Sequence, residues 1–362
     1  MKRCFTVRRM SALALLVFLA APACKSKSPA EEGDSGGSGA RRVTIGYSAP
    51  ELAAAQATVI QKAFLERARA KGWEVLTANA NFDPKTQASQ IEYFLSRGVD
   101  AVVAVPADSA AVCASVEKAR QARVPFYTID RAPLGCEVRM SVLADNRMAG
   151  RQAGEALVRM LGERHGQPRG TVLEYQGNLS QNVAQLRRDG FLSVMERYPE
   201  IKVLSRRTDW ESEKVAAITR EILPVQTVDA IYLHSDCLGI PVVLPILDQL
   251  GQRHPRGHPR HVLIAGVDGG PEALQAIRDG AADQSSSQPL PDFALIVDYI
   301  EKDLRREPFV AGPVVREGAP WSPATLAQGP AGWCLLLATT SVTSDNVNQA
   351  SLWANQLQQV IR

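Results

Sequence analysis

Between residues 43 and 267 one unit keeps returning, a short apolar run followed by an amphipathic helical stretch. This alternation restricts the fold more than any single motif. The strand-like runs are 43–47, 74–78, 101–105 and 126–129, then 171–175, 202–205, 230–233 and 262–267. Helical stretches such as 55–71, 86–97 and 110–122 separate them. Asp83-Pro84 offers a capping carboxylate and a proline suited to a first helical position. Gly72 and Gly98 follow basic residues, as helix stops should. Strands alternating with helices at this spacing predict parallel sheets with right-handed crossovers, in two sheets rather than one. Such sheets bind ligands beyond the carboxyl ends of their strands, so the residues just after each strand carry the functional question.

The first 24 residues address the chain. Lys2, Arg3, Arg8 and Arg9 precede an apolar run over 11–21, and Ala21, Pro22 and Ala23 lead into Cys24. A basic start, a short apolar stretch and small residues before a cut site make a secretory signal. About eleven apolar residues fall short of the roughly 20 that cross a bilayer as a helix. A cysteine directly after the small residues resembles the bacterial lipobox, which implies lipidation at Cys24 and a membrane anchor. Residues 25–41 are polar and Gly/Ser-rich with nothing to bury, and read as a flexible tether.

Removing residues 1–23 takes four of the 41 basic residues and none of the 38 acidic ones, leaving 37 against 38. No sustained basic face remains to argue for nucleic acid, whose phosphates call for clustered Lys and Arg. The remaining 339 residues exceed one typical core and suggest two lobes. Past Cys24 stand Cys113, Cys136, Cys237 and Cys334, none in a CxxC pair, so zinc-site spacing is absent. In an oxidising envelope Cys113 and Cys136 are the best placed for a bridge, the alternative being buried free thiols. The histidine-rich run 254–261 is broken by Pro255, Gly257 and Pro259 and reads as an exposed loop, not a metal site. Neither a metal nor a cofactor is expected.

The strand ends are polar. Asp130-Arg131 follows the fourth run, Gln176, Gly177, Asn178, Gln181 and Asn182 the fifth, and Asp209-Trp210 the sixth. Ser235-Asp236 follows the seventh, Asp268-Gly269-Gly270 the eighth, and Ser287-Gln288-Pro289 stands near the return to the first lobe. Carboxylates can accept from neighbouring hydroxyls, a guanidinium offers five donors in a fixed fork, and an indole can cover the C–H face of a ring. The set suits a neutral, polyhydroxylated molecule. Nucleophile–base, phosphate-loop and HExxH patterns are absent from the sequence, so catalysis is not expected.

Here the chain resembles the periplasmic sugar-binding proteins of the ribose- and galactose-binding type, the substrate receptors of ABC importers. The resemblance covers about residues 43–309. It is carried by RGVDAVVAVPADSAAV (97–112), VPFYTIDR (124–131), LADNRMAGRQAG (143–154), RRDGF (187–191), AGVDGGPEALQAIRDG (265–280) and SQP (287–289). It implies an α/β fold of two Rossmann-like lobes with parallel sheets, joined by a three-segment hinge that closes on ligand. The implied divisions are a lipoprotein signal at 1–23, lipidated Cys24 and tether at 24–41, a first lobe at 42–144 and 284–312, a second at 145–283 and 313–340, and a tail at 341–362.

Residue by residue, the resemblance implies ligand contacts from Asp130, Arg131, Asp268 and Gln288, with stacking by Trp210. Ser235 stands for a usual asparagine and Gln185 for a usual arginine. The first loop, PELAAAQA (50–57), lacks the family's stacking aromatics, which implies a smaller or furanose-like ligand, or a molecule other than a simple sugar. The implied partners are a small polar ligand, importer membrane subunits and the membrane through the lipid. A non-sugar cargo (a nucleoside, polyol or signal), feeding an importer or sensor, is the alternative. Asp108 and Asp145 read as helix caps, Glu51 as a solvated helix-start acid, and the tail as packing on the second lobe or across the hinge.

Overall fold

A computed structural model describes residues 42–360, with side chains through residue 357. The expected leader, Cys24 and the expected tether lie outside the described residues. The first lobe opens with β1 (Thr44–Ala49), α1 (Ala55–Ala70), β2 (Glu74–Asn79), α2 (Pro84–Ser96), β3 (Ala101–Ala104), α3 (Val112–Gln121), β4 (Phe126–Ile129) and β5 (Met140–Ala144). These strands pair in parallel in the order β2-β1-β3-β4-β5. Every residue of β3 and β4 is buried, as interior strands covered on both faces require. Asp83 caps α2 through the amides of Lys85 and Thr86, and Gly72 and Gly98 take positive φ past the ends of α1 and α2. Asp108 accepts from the amides of Ala110 and Ala111, a helix-entry role.

The second lobe repeats the plan. It contains α4 (Asn146–His165), β6 (Gly170–Gln176), α5 (Asn182–Met195), β7 (Ile201–Arg207), α6 (Ser212–Ile222) and β8 (Ala230–Leu233). It continues through α7 (Asp236–Gln249), β9 (Leu263–Asp268), α8 (Pro271–Arg278) and β10 (Gln284–Ser287). The ladder runs β7-β6-β8-β9-β10, all parallel. Asp145 caps α4 by accepting from the Met148 amide.

After β10 the chain returns through a short 3-10 helix (Leu290–Leu295) and α9 (Ile296–Leu304). Strands β11 (Gly312–Val314), β12 (Ala324–Gly329) and β13 (Gly332–Leu337) then extend the first sheet, β13 lying parallel to β5. β14 (Thr340–Val342) crosses back and pairs antiparallel with β10, and α10 (Trp353–Val360) lies against α8. The expected boundaries are corrected here. Residues 313–337 complete the first lobe's sheet, not the second lobe, and 284–287 form a second-lobe strand, not part of the first. The physical reason is edge coverage. The apolar strand GWCLLL satisfies the open backbone edge of β5, and β10 does the same for β9. The lobes are thus joined by three crossings, near residues 144–146, 287–290 and 337–340. Cys113 and Cys136 form a disulfide, while Cys237 and Cys334 are free.

One close approach fixes the helix that matters most for the cleft. α4 and α5 cross at two glycines. A Cβ on Gly150 would stand 2.0 Å from the Arg187 carbonyl oxygen, and one on Gly190 would stand 2.1 Å from that of Arg147. Backbone cannot yield as a side-chain end can, so Gly150→Ala should cost about 3 kcal/mol by overpacking. At about 2–4 °C per kcal/mol, that is a fall in Tm of roughly 10 °C, read by calorimetry. A Tm within 2 °C of wild type would show that the helices can part freely.

Candidate functional site

The carboxyl ends of the two parallel sheets face one another across a cavity of about 280 Å3. From the first lobe, Asp130 sits at φ +63, just past β4, where its amide bonds the Val142 carbonyl. Among the described residues its carboxylate accepts no hydrogen bond. Its nearest cation is the Arg131 Nε at 3.5 Å, too far for a good bond. Burial pushes the Asp130 pKa up, against the pull of Arg131 and Arg187. Arg131 donates through Nη1 to the Pro106 carbonyl at 3.0 Å, which leaves Nε buried and unpartnered. Burial also lowers the pKa of this guanidinium, with Asp130 opposing.

Three aromatic residues line the cavity, Tyr47 and Phe82 from the first lobe and Trp210 from the second. Phe82, at φ +58 in the turn after β2, lies 5.9 Å from the Arg131 guanidinium carbon. Trp210, at φ +67 after β7, lies on Gly177, where a Cβ would meet the ring at 2.0 Å. Its Nε1 donates to Gln181 Oε1 at 2.5 Å. The remaining wall from the first lobe combines the polar Glu51 and Gln56 with small and apolar residues, including Ala49, Ala53, Ala54 and Ala57. Glu51 lines the cavity but bonds the amides of Ala53 and Ala54, so it acts as the helix-start acid for α1.

At the floor of the second lobe Asp268, at φ +111, is held on all sides. Its carboxylate receives Arg187 Nη2 at 3.1 Å, Ser235 Oγ at 2.6 Å and Gln288 Nε2 at 3.2 Å. Trp353 of the tail donates from Nε1 to the Asp268 carbonyl at 2.8 Å, so the C-terminal segment braces the same turn. Beneath it Asp236 accepts from the amides of Gly269 and Gly270 and from Ser285 Oγ. Burial and the charge on Asp268 push the Asp236 pKa up to about 7. Asp236, Cys237 and Asp268 lie close enough to suggest a cation site. These internal bonds already occupy both carboxylates, and the residues do not form an open ligand set.

Six of the seven expected contact residues line this cavity: Asp130, Arg131, Trp210, Ser235, Asp268 and Gln288. Gln185 is the correction. It is absent from the cavity wall, and its side chain donates back to the Leu179 carbonyl at 2.8 Å. Arg187, two residues on, does line the cavity and is buried. It donates to Asn146 Oδ1 at 2.8 Å and to the His234 carbonyl, pairs with Asp268, and has its guanidinium carbon 5.6 Å from the Trp210 ring centre. The signal was present in the helix period. Val183, Arg187, Gly190 and Val194 share one buried face of α5, and Gln185 points off it. Phe82 was also missed. It lines the cavity from the turn after β2.

Two lobes of parallel sheet meeting over a polar cleft, with three chain crossings between them, define a ligand-capture protein of the two-lobed periplasmic class. The chain belongs to the periplasmic binding protein domain family, whose pattern matches residues 45–296. It is similar to the ribose import binding protein RbsB of Bacillus subtilis (strain 168), 26% identical over 268 residues, covering 74% of this chain and 83% of that relative. It is also similar to a xylitol-binding protein of Mycolicibacterium smegmatis, 26% identical over 216 residues, covering 59% of this chain and 58% of that relative. Its fold matches the crystal structure of a galactofuranose binding protein at TM-score 0.74 and 19% identity, covering 87% of this chain and 99% of that one. Among the described residues no helix is long and apolar enough to cross a membrane.

Proposed function

We propose that this protein is an exported solute receptor, lipid-anchored at Cys24, that captures a polyhydroxylated ring between its lobes and presents it to an ABC importer. The observation that carries this reading is a convergence of unmet polar atoms on one cavity. Among the described residues Arg131 Nε and the side-chain oxygens of Gln288 and Gln56 are buried without a hydrogen-bond partner, and the Asp130 carboxylate accepts no bond. Unsatisfied buried groups are costly, and ring hydroxyls, each both donor and acceptor, would satisfy all four. Phe82 and Trp210 then cover the two faces of the ring. The ligand contacts are Asp130, Arg131, Arg187, Trp210, Ser235, Asp268 and Gln288. The alanine-rich wall favours, as a second reading, a ring carrying a bulkier group, such as a nucleoside.

Thermal unfolding of residues 25–362 against D-ribose, D-galactose, L-arabinose, xylitol, myo-inositol and adenosine tests the reading. Ligand at about 100 times its Kd adds roughly 2.7 kcal/mol, several degrees in Tm. A shift with a sugar or polyol supports the first reading, and a shift with adenosine alone supports the second. Absence of any shift, with native mass spectrometry excluding a co-purified ligand, overturns both. Mass spectrometry of the membrane-extracted protein tests the anchor. An unmodified Cys24, or an N-terminus elsewhere, removes it.

A further inference from the structure

We propose that Gln181 is a positioning residue that makes lobe closure depend on the seating of Trp210. The inference rests on the reading of this cleft as the ligand site. Gln181 stands at the amino-terminal boundary of α5 yet makes no capping bond to its own helix. Its side chain is only 1% exposed and is used elsewhere. Oε1 accepts from the Trp210 indole N–H at 2.5 Å, and Nε2 donates across the lobes to the Ala107 carbonyl at 2.8 Å. One planar amide therefore joins a cleft-lining ring of the second lobe to the backbone of the first.

The neighbouring contacts show how concentrated this seam is. Ser109 and Ala132 of the first lobe bond to Ser180 and Asn182 of the second. The pairs are the Ser109 amide to the Ser180 carbonyl at 3.3 Å, the Asn182 amide to Ser109 Oγ at 3.2 Å, and the Ala132 amide to Asn182 Oδ1 at 3.1 Å. Of these residues, Gln181 alone also bonds a ring that lines the cavity. Asp209 and Trp210 both take positive φ, which sets the backbone here, while the ring rests on Gly177 by contact and still turns about its side-chain torsions. When ligand holds the indole in place, its N–H orients the Gln181 amide with Nε2 toward Ala107. An amide is the group that can accept on one side and donate on the other at once. The coupling is thus carried by two hydrogen bonds in series through one side chain.

The test measures lobe closure directly, so that it stands even where the sugar reading fails. Interlobe distances between spin labels carried by unnatural amino acids at Ser89 and Arg220 are recorded by electron double resonance, without additive and with 10 mM D-ribose as probe. Trp210→Phe keeps the ring but loses the N–H. Gln181→Glu keeps the acceptor for Trp210 but loses the donor to Ala107. Trp210→Phe should lower the closed-to-open ratio by about two- to tenfold, the worth of one net hydrogen bond, and Gln181→Glu by about tenfold or more, since it also sets a carboxylate against the Ala107 carbonyl. The double variant should fall no further than the worse single one, because the bonds act in series. In 15N spectra of the five tryptophan indoles, the signal lost in Trp210→Phe should stay near its wild-type position in Gln181→Glu and move in Gln181→Met. Additive effects, unchanged closure in either single variant, or a wild-type protein with no closed population in either condition would overturn the relay. A D-ribose-insensitive wild type that still shows the series behaviour upholds it and counts against ribose alone.

Discussion

Asp130→Asn is expected to weaken ligand capture at least 100-fold while leaving the ligand-free protein within about 1 kcal/mol of wild-type stability. A carboxylate accepting from two ring hydroxyls makes two charge-assisted bonds, each worth roughly 1.5–3 kcal/mol, and an amide replaces one acceptor with a donor. No comparable interaction within the protein depends on this side chain, since it accepts no hydrogen bond among the described residues and pairs with Arg131 only at 3.5 Å. Asn is the cleaner change because the residue holds φ +63. Asn tolerates that conformation, whereas Ala would add about 1–2 kcal/mol of backbone cost unrelated to binding. Titration calorimetry with whichever compound stabilises the wild type reads the loss, and a Kd within threefold of wild type would remove Asp130 from the site.

The pH dependence of the same group follows from its raised pKa. The folded, ligand-free protein keeps the proton at pH values where the unfolded chain has released it. Its stability therefore falls as pH rises from the ordinary carboxylate value through the folded one, and is level above that. Ligand capture needs the charged form, so affinity rises over the same window. The other charged and titratable groups facing Asp130 are Arg131, Arg187, Asp268 and Tyr47, and the Asp130→Asn variant should lose this limb of the profile and, with the Asp130 charge gone, relax part of the upward push on Asp268 and Tyr47.

Much of this site was legible because strand ends are legible. Short buried runs such as AVVA, FYTI and AIYL mark the central strands, and the first few residues past such a run include the ones that reach the cleft, although His234, directly after AIYL, turns to the buried Glu174 instead. Asp130, Ser235 and Asp268 were placed that way. Arg187 was harder, since it lies on a helix, where a shift of two residues moves a side chain by more than half a turn. Phe82 sits in a turn of two consecutive positive-φ residues, Asn81 and Phe82, neither of them glycine, so no local signal announced the bend that brings the ring inward. The late strands were misassigned for another reason. A strand's sequence states that it needs a partner, and only the three-dimensional arrangement decides which open edge supplies one.

The pair Gln185 and Arg187 turns that difference into a contrast between two neighbouring substitutions. Arg187→Met should destabilise the protein by about 3–5 kcal/mol, because it strips the cation from a buried carboxylate, removes the donor to the His234 carbonyl and leaves Asn146 Oδ1 with only the long bond from Gln288 at 3.4 Å. That corresponds to a fall of roughly 10 °C or more in Tm. Binding should be lost as well, since Asp268 is then free to protonate, burial already raising its pKa. Gln185→Ala removes one bond to a backbone carbonyl outside the cavity and should cost no more than about 1 kcal/mol, with affinity unchanged. Arg187→Lys separates charge from geometry. It keeps a cation near Asp268, yet an ammonium cannot reach Asn146, His234 and Asp268 in the directions the planar fork serves. Its stability should therefore lie between the other two. If Gln185→Ala cost affinity and Arg187→Met did not, the floor of the cleft would have to be rebuilt around the other residue.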